Sequence, residues 1–407
     1  MIYPANFEEK IGFDRIREQV TALCSTPSAK AKLAEEGFST SADEIERRLS
    51  LMNEMRSLLM LERDFPDGDY PDPAPLVAKI RVEGSYLLAA EADQLRKALV
   101  TVGAIAEFIL GRGGAHYPRL WELSRRVTLF PEIVRAIDAI LDDRGEVKDS
   151  ASPELQQVRR AIREREGQAA KRLQQVLQRA KQAGIVDADA VLSVRDGRPV
   201  IPVAAANKRK LQGFIHDESA TGRTFYVEPV EVVEINNELK ELEYAERREV
   251  VKVLSAFTES IRLDAEAIAD AGDYLSSVDM IRAKARWALA NDAGKPILST
   301  DDRLELRTAR HPLLQQTLRA QGREVVPLDL ALDRRKYILV ISGPNAGGKS
   351  VCLKTTGLMQ YLFQCGYPVP ASEVSELPVF RSIFIDIGDE QSIDDDLSTY
   401  SSHLRNM

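Results

Sequence analysis

The sequence predicts a mixed fold of the α plus α/β kind: an all-helical core, a long antiparallel helical arm with a small β tip, and then part of an α/β domain. Three observations predict it. The N-terminal stretch carries helical apolar spacing and no strand pattern. Two long helical stripes flank a short segment whose period is two. Near the C-terminal end the apolar run Tyr337-Ile338-Leu339-Val340-Ile341 enters a glycine-rich loop that opens a helix, as a buried strand, a turn and a helix would.

Residues 1–150 form the helical core in this reading. Phe13, Ile16, Val20 and Leu23 keep helical spacing until Thr26-Pro27, and a short helix follows from Ser28 to Glu36. Ser41 with Glu44 reads as a capping box ahead of Ile45, Leu49, Met52 and Leu59, and the Pro/Asp/Gly loop between Phe65 and Pro75 ends that helix. After Gly84 a longer helix carries Leu87, Leu88, Leu95, Leu99, Val102 and Ile109 up to Gly111, and Pro131 to Leu141 is one more.

The arm spans 151–275. Ser152-Pro153 supplies an N-cap and a proline at the first helical position, and Leu155, Val158, Ile162, Ala169, Leu173, Val176 and Ala180 then recur mostly at threes and fours until Gly184. A helix of this length is about 45 Å long at ~1.5 Å per residue. Between about 190 and 228 the period falls to two, with Asp196-Gly197 and Ala220-Thr221-Gly222 as hairpin turns. The returning stripe from Pro229 carries Val232, Ile235, Leu239, Leu242, Val250, Leu254, Phe257, Ile261 and Ile268. Residues 276–295 read as a helix rejoining the core, and 296–407 as an α/β segment with strands at Leu304-Glu305-Leu306, Val325-Val326, Tyr337–Ile341 and Val379–Ile387.

The glycine loop carries the chemistry. Gly343, Gly348, Lys349 and Ser350 satisfy G-x-x-x-x-G-K-[ST], so Gly343-Pro344-Asn345-Ala346-Gly347-Gly348 would cradle phosphates with backbone amides. Lys349 would reach the β- and γ-phosphates and Ser350 would ligate Mg²⁺, with the positive end of the helix dipole behind them. ATP and Mg²⁺ are therefore the expected ligands.

Composition excludes several classes. Cys24, Cys352 and Cys365 are far apart and the four histidines lack ligand spacing, which argues against a disulfide framework or a zinc site. No run approaches a membrane span and no secretory signal opens the chain, so a soluble cytoplasmic protein is expected. With 55 basic and 63 acidic residues and a net charge of −8, nucleic acid would have to be met by a local patch. Arg195, Arg198, Lys208, Arg209, Lys210 and Arg223 in the β tip form the candidate, against the plain alternative of a solvated face.

Three further motifs are weighed down by their context. Ile383-Phe384-Ile385-Asp386-Ile387-Gly388-Asp389-Glu390 has the look of a Walker B strand, but Gly388 interrupts it and it follows the loop closely, so a polar loop lining the nucleotide site is the preferred reading. Phe7-Glu8-Glu9 fits an F-x-E mismatch wedge and reads better as a helix start. His311, between Arg310 and Pro312, reads as structural rather than catalytic.

Taken together these residues resemble the MutS family of ATPases. The loop Gly343-Pro344-Asn345-Ala346-Gly347-Gly348-Lys349-Ser350 is similar to the family's GPNxGGK[ST]. Arg195-Asp196-Gly197-Arg198, Gly213-Phe214-Ile215-His216-Asp217 and Thr224-Phe225-Tyr226-Val227-Glu228-Pro229 resemble the clamp of its second bacterial type, the branch without a mismatch-reading domain. Ser375-Glu376-Leu377-Pro378 and Leu397-Ser398-Thr399-Tyr400 resemble its ATPase segments. The resemblance implies a core and lever, a β clamp, and an ABC-like P-loop domain that homodimerises around nucleotide, with Ser398 reaching the partner's γ-phosphate and Asp389-Glu390 in a loop. It implies action on branched DNA in recombination suppression and repair, and on ribosomes and their rRNA at collisions. Endonuclease activity belongs to the family's Smr domain. The chain ends at Met407, ahead of the family's Walker B carboxylates and of that domain, so the ATPase domain is expected to be incomplete, binding ATP without turning it over. Two other classes compete: an SMC-like chromosome-maintenance ATPase, in which the P-loop would precede the coiled segment, and a non-hydrolysing scaffold that uses ATP to dimerise.

Overall fold

The computed structural model describes residues 1–195, 197–343 and 348–387. In chain order the elements are β1 (Ile2–Tyr3), α1 (Phe7–Ile11), α2 (Phe13–Ala22), α3 (Pro27–Glu35), α4 (Ala42–Leu61), α5 (Ala74–Ile80), α6 (Ala89–Arg112), α7 (Pro118–Ser124), α8 (Pro131–Ile140) and α9 (Pro153–Gln182). Strands β2 (Ser193–Arg195), β3 (Arg198–Ala204), β4 (Gly213–Glu218) and β5 (Thr224–Pro229) follow, then α10 (Val230–Ile261) and α11 (Ala265–Ala290). The remainder is β6 (Ile297–Leu298), β7 (Leu304–Ala309), α12 (Pro312–Arg319), β8 (Leu328–Leu332), α13 (Lys349–Gln364), β9 (Glu376–Leu377) and β10 (Ile383–Phe384). The fold is thus mixed, helices with several small sheets. It divides into two compact units, one of Met1–Val77, Lys97–Phe130 and Asp264–Met407, the other of Ala78–Arg96 and Pro131–Leu263.

In the first unit the helix caps are those the sequence supplies. Thr26 accepts from the Ala29 amide ahead of Pro27, and Ser41 accepts from the Glu44 amide. Glu44 does not complete the box, because its carboxylate is taken by the Ser39 hydroxyl at 2.7 Å and by Arg48. One apolar cluster gathers Phe7, Phe13, Ile16, Leu49, Met52, Trp287, Leu362 and Phe363, so α1, α2, α4, α11 and α13 meet on it. A second gathers Met55, Leu58, Ile105, Ile109, Leu120, Leu275 and Val278. Because α11 packs on both, it is buried nearly all round, and its charged residues must be satisfied internally. Arg282 Nη2 donates to Asp279 Oδ1 at 2.9 Å, to Ser25 Oγ at 2.7 Å, and its Nη1 to Gly68 O at 2.6 Å, while the plane lies 3.7 Å from the Tyr70 ring. The Thr26 amide donates to the other Asp279 oxygen at 2.8 Å. Strands run in the order β6-β9-β7-β8, and β1 pairs parallel with β10.

In the second unit α9 starts at the Ser152 cap, whose hydroxyl accepts from the Leu155 amide. It lies along α10 with Arg159 donating to Glu246 at 2.7 Å and Arg165 pairing with Glu238 at 2.8 Å. Partners that rise on one helix and fall on the other mean that the two run in opposite directions. Strands β2-β3-β5-β4 form an antiparallel sheet in which Ile201 faces Val227. Leu173, Val176, Leu177, Ile201, Val203, Val227 and Val232 share its core. Arg195 pairs with Arg198 across the two-residue turn, whose Gly197 has φ +73°; Asp196 lies outside the described residues.

Several expectations need correction. Tyr337–Ile341 belongs to no sheet among the described residues, and Tyr337, Ile338 and Val340 are 72%, 72% and 84% exposed, so no buried strand forms there. A fully apolar run is buried only when neighbours cover both faces, and none of the described strands does. Val325-Val326 is not a strand; Pro327, which has no N–H to donate, separates it from β8. Of Val379–Ile387 only Ile383–Phe384 pairs. The returning stripe does not reach Ile268 as one helix. It breaks at a 3-10 turn over Arg262–Asp264, where the Arg262 guanidinium donates to the carbonyls of Ile80, Val82 and Ser85, and α11 starts earlier than Ser276.

Candidate functional site

The last buried turns of α13 fix where its first turn points. Leu358, Met359, Leu362 and Phe363 are buried, and Phe13 meets the Tyr361 ring edge-on at 4.9 Å. Gln360 donates to Pro378 O at 2.7 Å, and Gln364 donates to Ser39 O at 2.9 Å and Phe380 O at 2.8 Å. By contrast Val351 and Leu353 at the other end are exposed. The helix is therefore a rigid mount whose N-terminus is open.

Gly348 is the N-cap residue of that terminus, with φ +83°, a left-handed conformation that a side chain rarely adopts. The amides of a helix's first turn and its positive dipole end are suited to an anion. Lys349 Nζ donates to Gly343 O at 2.5 Å, so the cation lies back across the loop's two ends. Gly343 itself has φ +154°. Pro344, Asn345, Ala346 and Gly347 lie outside the described residues, as do Asp389, Glu390 and Ser398. These features fit a nucleotide triphosphate: a helix N-terminus begun by a left-handed glycine, a lysine at its first position and the Ser350 hydroxyl next in line for Mg²⁺. Asp386 is exposed on the segment after β10.

The other sequence candidates resolve individually. Phe7 is 1% exposed, its ring 5.1 Å from Tyr361, so it starts a helix and cannot wedge between bases. His311 is the N-cap residue of α12, and burial foremost, with Lys354 and Arg15 nearby, lowers its pKa to about 4, which keeps the ring neutral. Sequence reasoning missed Lys10, whose ammonium donates to Ile387 O at 3.1 Å, because nothing in a lone lysine announces a partner 377 positions away.

In the β tip the six basic residues separate into two groups. Arg195 stacks 3.9 Å over the Tyr226 ring and donates to Asp217 at 2.9 Å. Arg198 donates to both oxygens of Glu228, at 3.0 and 2.9 Å. Glu228 is 1% exposed and also accepts from Asn236 at 2.6 Å and lies 2.5 Å from His216 Nε2. Burial alone would raise its pKa, but the hydrogen bonds from Asn236, His216 and Arg198 outweigh that and hold it below its ordinary value. These two arginines are occupied by the fold. Lys208, Arg209, Lys210 and Arg223 are exposed, and the Ala205 amide donating to Arg223 O at 2.9 Å brings the turn that carries the first three beside the fourth. Lys208 also lies 4.4 Å from the Phe225 ring.

A glycine loop of the P-loop pattern ahead of a buried helix, in a chain that also carries two antiparallel helices and a β sheet, points to a defined class of proteins. Residues 339–407 match the family model MutS domain V. Along 97% of its length the chain is 34% identical to Endonuclease MutS2 of Bacillus velezensis and 36% identical to Endonuclease MutS2 of Thermomicrobium roseum; along 98% it is 35% identical to that of Pelotomaculum thermopropionicum. It spans about half the length of these relatives, 50% in each case. The chain belongs to the MutS2 family.

Proposed function

We propose that the chain is the ATP-binding and DNA-engaging part of a MutS2-type clamp. Residues 296–407 contribute the P-loop of an ABC-like domain that homodimerises around nucleotide, 1–150 with 276–295 serve as core and lever, and 151–275 act as an arm carrying a β clamp at 190–228. ATP seats its phosphates on the amides from Gly343 to Gly348, Lys349 bridges the outer phosphates and Ser350 ligates Mg²⁺. Nucleotide-driven dimerisation then closes the arms on DNA, in keeping with the word endonuclease in the relatives' names, and on ribosomes in the same manner.

One observation carries the reading: the first turn of α13, started by a left-handed Gly348, presents Lys349 back to Gly343 O. The ion pairs from α9 to α10 support a stiff double-helical arm. The test is titration with a fluorescent ATP analogue. Lys349→Ala is expected to weaken binding by at least about tenfold, since it removes the charge-assisted contacts to phosphate. Unchanged affinity would exclude the P-loop as the nucleotide site.

A further inference from the structure

Beside α13 lies a cleft of about 340 Å³ between the starts of α2 and α12. Gly348, Lys349 and Ser350 do not line it; from α13 only Val351 and Lys354 do. Three cations, Lys10, Arg15 and Lys354, converge on it against the single carboxylate of Glu9. Lys10 is held by Ile387 O, whereas Arg15 and Lys354 make no ion pair among the described residues. That is an unusual arrangement in a chain where most arginines are paired, because like charges facing one cleft repel unless something negative enters it. We propose that this cleft is a second anion site, distinct from the P-loop, which takes a small phosphate-bearing ligand.

Four details agree with that assignment. The helices α2 and α12 both begin at the cleft, with Gly12 and His311 as N-caps, and neither has a side-chain cap, so amide hydrogens and two positive dipole ends add to the cations. The two starts are in close approach: a Cβ on Gly12 would come 2.8 Å from Leu313 Cδ1, and its φ of +75° also favours glycine. His311 Nδ1 is shielded from solvent with no hydrogen-bond partner among the described residues. Its ring is neutral beside Arg15 and Lys354, and an anion between those cations would relieve the repulsion that helps keep it so. The floor of Ile11, Leu313 and Val351 is apolar, and the volume falls within the range of small-ligand pockets, which suits a phosphate ester better than a bare ion.

The experiment uses the full chain carrying Lys349→Ala, so that binding at the P-loop and binding here are separated. Calorimetric titration with ATP and, separately, with inorganic pyrophosphate is expected to show saturable binding in that background. Lys354→Met and Arg15→Met should each weaken it by about tenfold, and Glu9→Gln should strengthen it severalfold by removing the opposing charge. In the same titration the His311 ring resonances should move toward protonation at lower proton concentration than in the free chain. Binding of both ligands would assign the site to the phosphates themselves, and binding of ATP alone to a nucleotide; both outcomes uphold the site. Loss of all binding in Lys349→Ala, or affinity untouched by Lys354→Met, Arg15→Met and Glu9→Gln, would overturn it.

Discussion

The Tyr361 hydroxyl donates to Glu8 Oε1 at 2.6 Å, and the same oxygen accepts from Arg17 at 2.6 Å. One carboxylate thus joins the first helix, the second helix and the helix that carries the P-loop. Burial foremost pushes the tyrosine pKa up, so the phenol keeps its proton and remains a donor. Tyr361→Phe keeps the ring against Phe7 and Phe13 and removes only this bond, which should cost about 1 kcal/mol of unfolding free energy. Glu8→Ala leaves Arg17 without its partner as well and should cost roughly 2–3 kcal/mol. Urea unfolding of the two variants measures both; equal midpoints for parent and variants would show that the shared carboxylate does not hold α13.

The buried Glu228 makes the β tip acid-sensitive. Its folded pKa lies below the ordinary value, so ionised Glu228 contributes stability that is fully present above the ordinary carboxylate range, about pH 4.3, and is lost as pH falls through the lower folded value. Glu228→Gln should remove that dependence. It also leaves Arg198 without its counter-charge, for a loss of about 1–3 kcal/mol at neutral pH. The check is the acid unfolding of the tip followed by Tyr226 fluorescence. A parent curve that the glutamine variant reproduces would contradict the role given to this carboxylate.

DNA binding, tested with branched duplexes, should depend on the exposed basic residues and not equally on all six. Lys208, Arg209, Lys210 and Arg223 are in solvent, whereas Arg195 and Arg198 already serve Asp217 and Glu228. Replacing Arg209 and Lys210 by Gln should lower affinity and flatten its salt dependence, with the logarithmic slope falling by about 0.9 for each phosphate no longer neutralised. Arg198→Gln should act chiefly through stability. Equal binding by the Arg209/Lys210 variant and the parent at low salt would move the DNA surface elsewhere.

Sequence patterns reveal elements and miss partners. Ser152-Pro153 marks the start of α9 because capping is settled within one turn of chain, while Thr26-Pro27, which the spacing gives only as the end of α2, also caps and opens α3. Tyr337–Ile341 has the composition of a buried strand, yet Tyr337, Ile338, Leu339 and Val340 are exposed, because burial depends on what lies beside a strand, which composition does not encode. Pro327 sets a strand boundary by a local rule that is legible in the chain itself. In the tip, the basic residues alone do not separate Arg198 from Lys210. The acceptor of Arg198 lies 30 positions away, across a strand pairing that only the fold supplies.

The final prediction concerns turnover: this chain should bind ATP and hydrolyse it negligibly. In P-loop NTPases the metal is held by the loop hydroxyl and by a Walker B carboxylate, and a further residue orients the attacking water. Ser350, at the head of α13, would supply the first of these groups. Of the carboxylates that follow it, Asp386 is exposed beyond a two-residue strand, and Asp389 and Glu390 lie outside the described residues. Phosphoryl transfer relies on positioning and charge stabilisation, so an incompletely held metal and an unaligned water should cost orders of magnitude in rate. Binding should persist, because the helix N-terminus of α13 and Lys349 do not depend on those groups. Single-turnover hydrolysis at saturating protein is the measurement. Fast turnover abolished by Asp389→Asn or Glu390→Gln would identify that pair as the catalytic carboxylates and make this chain a complete ATPase.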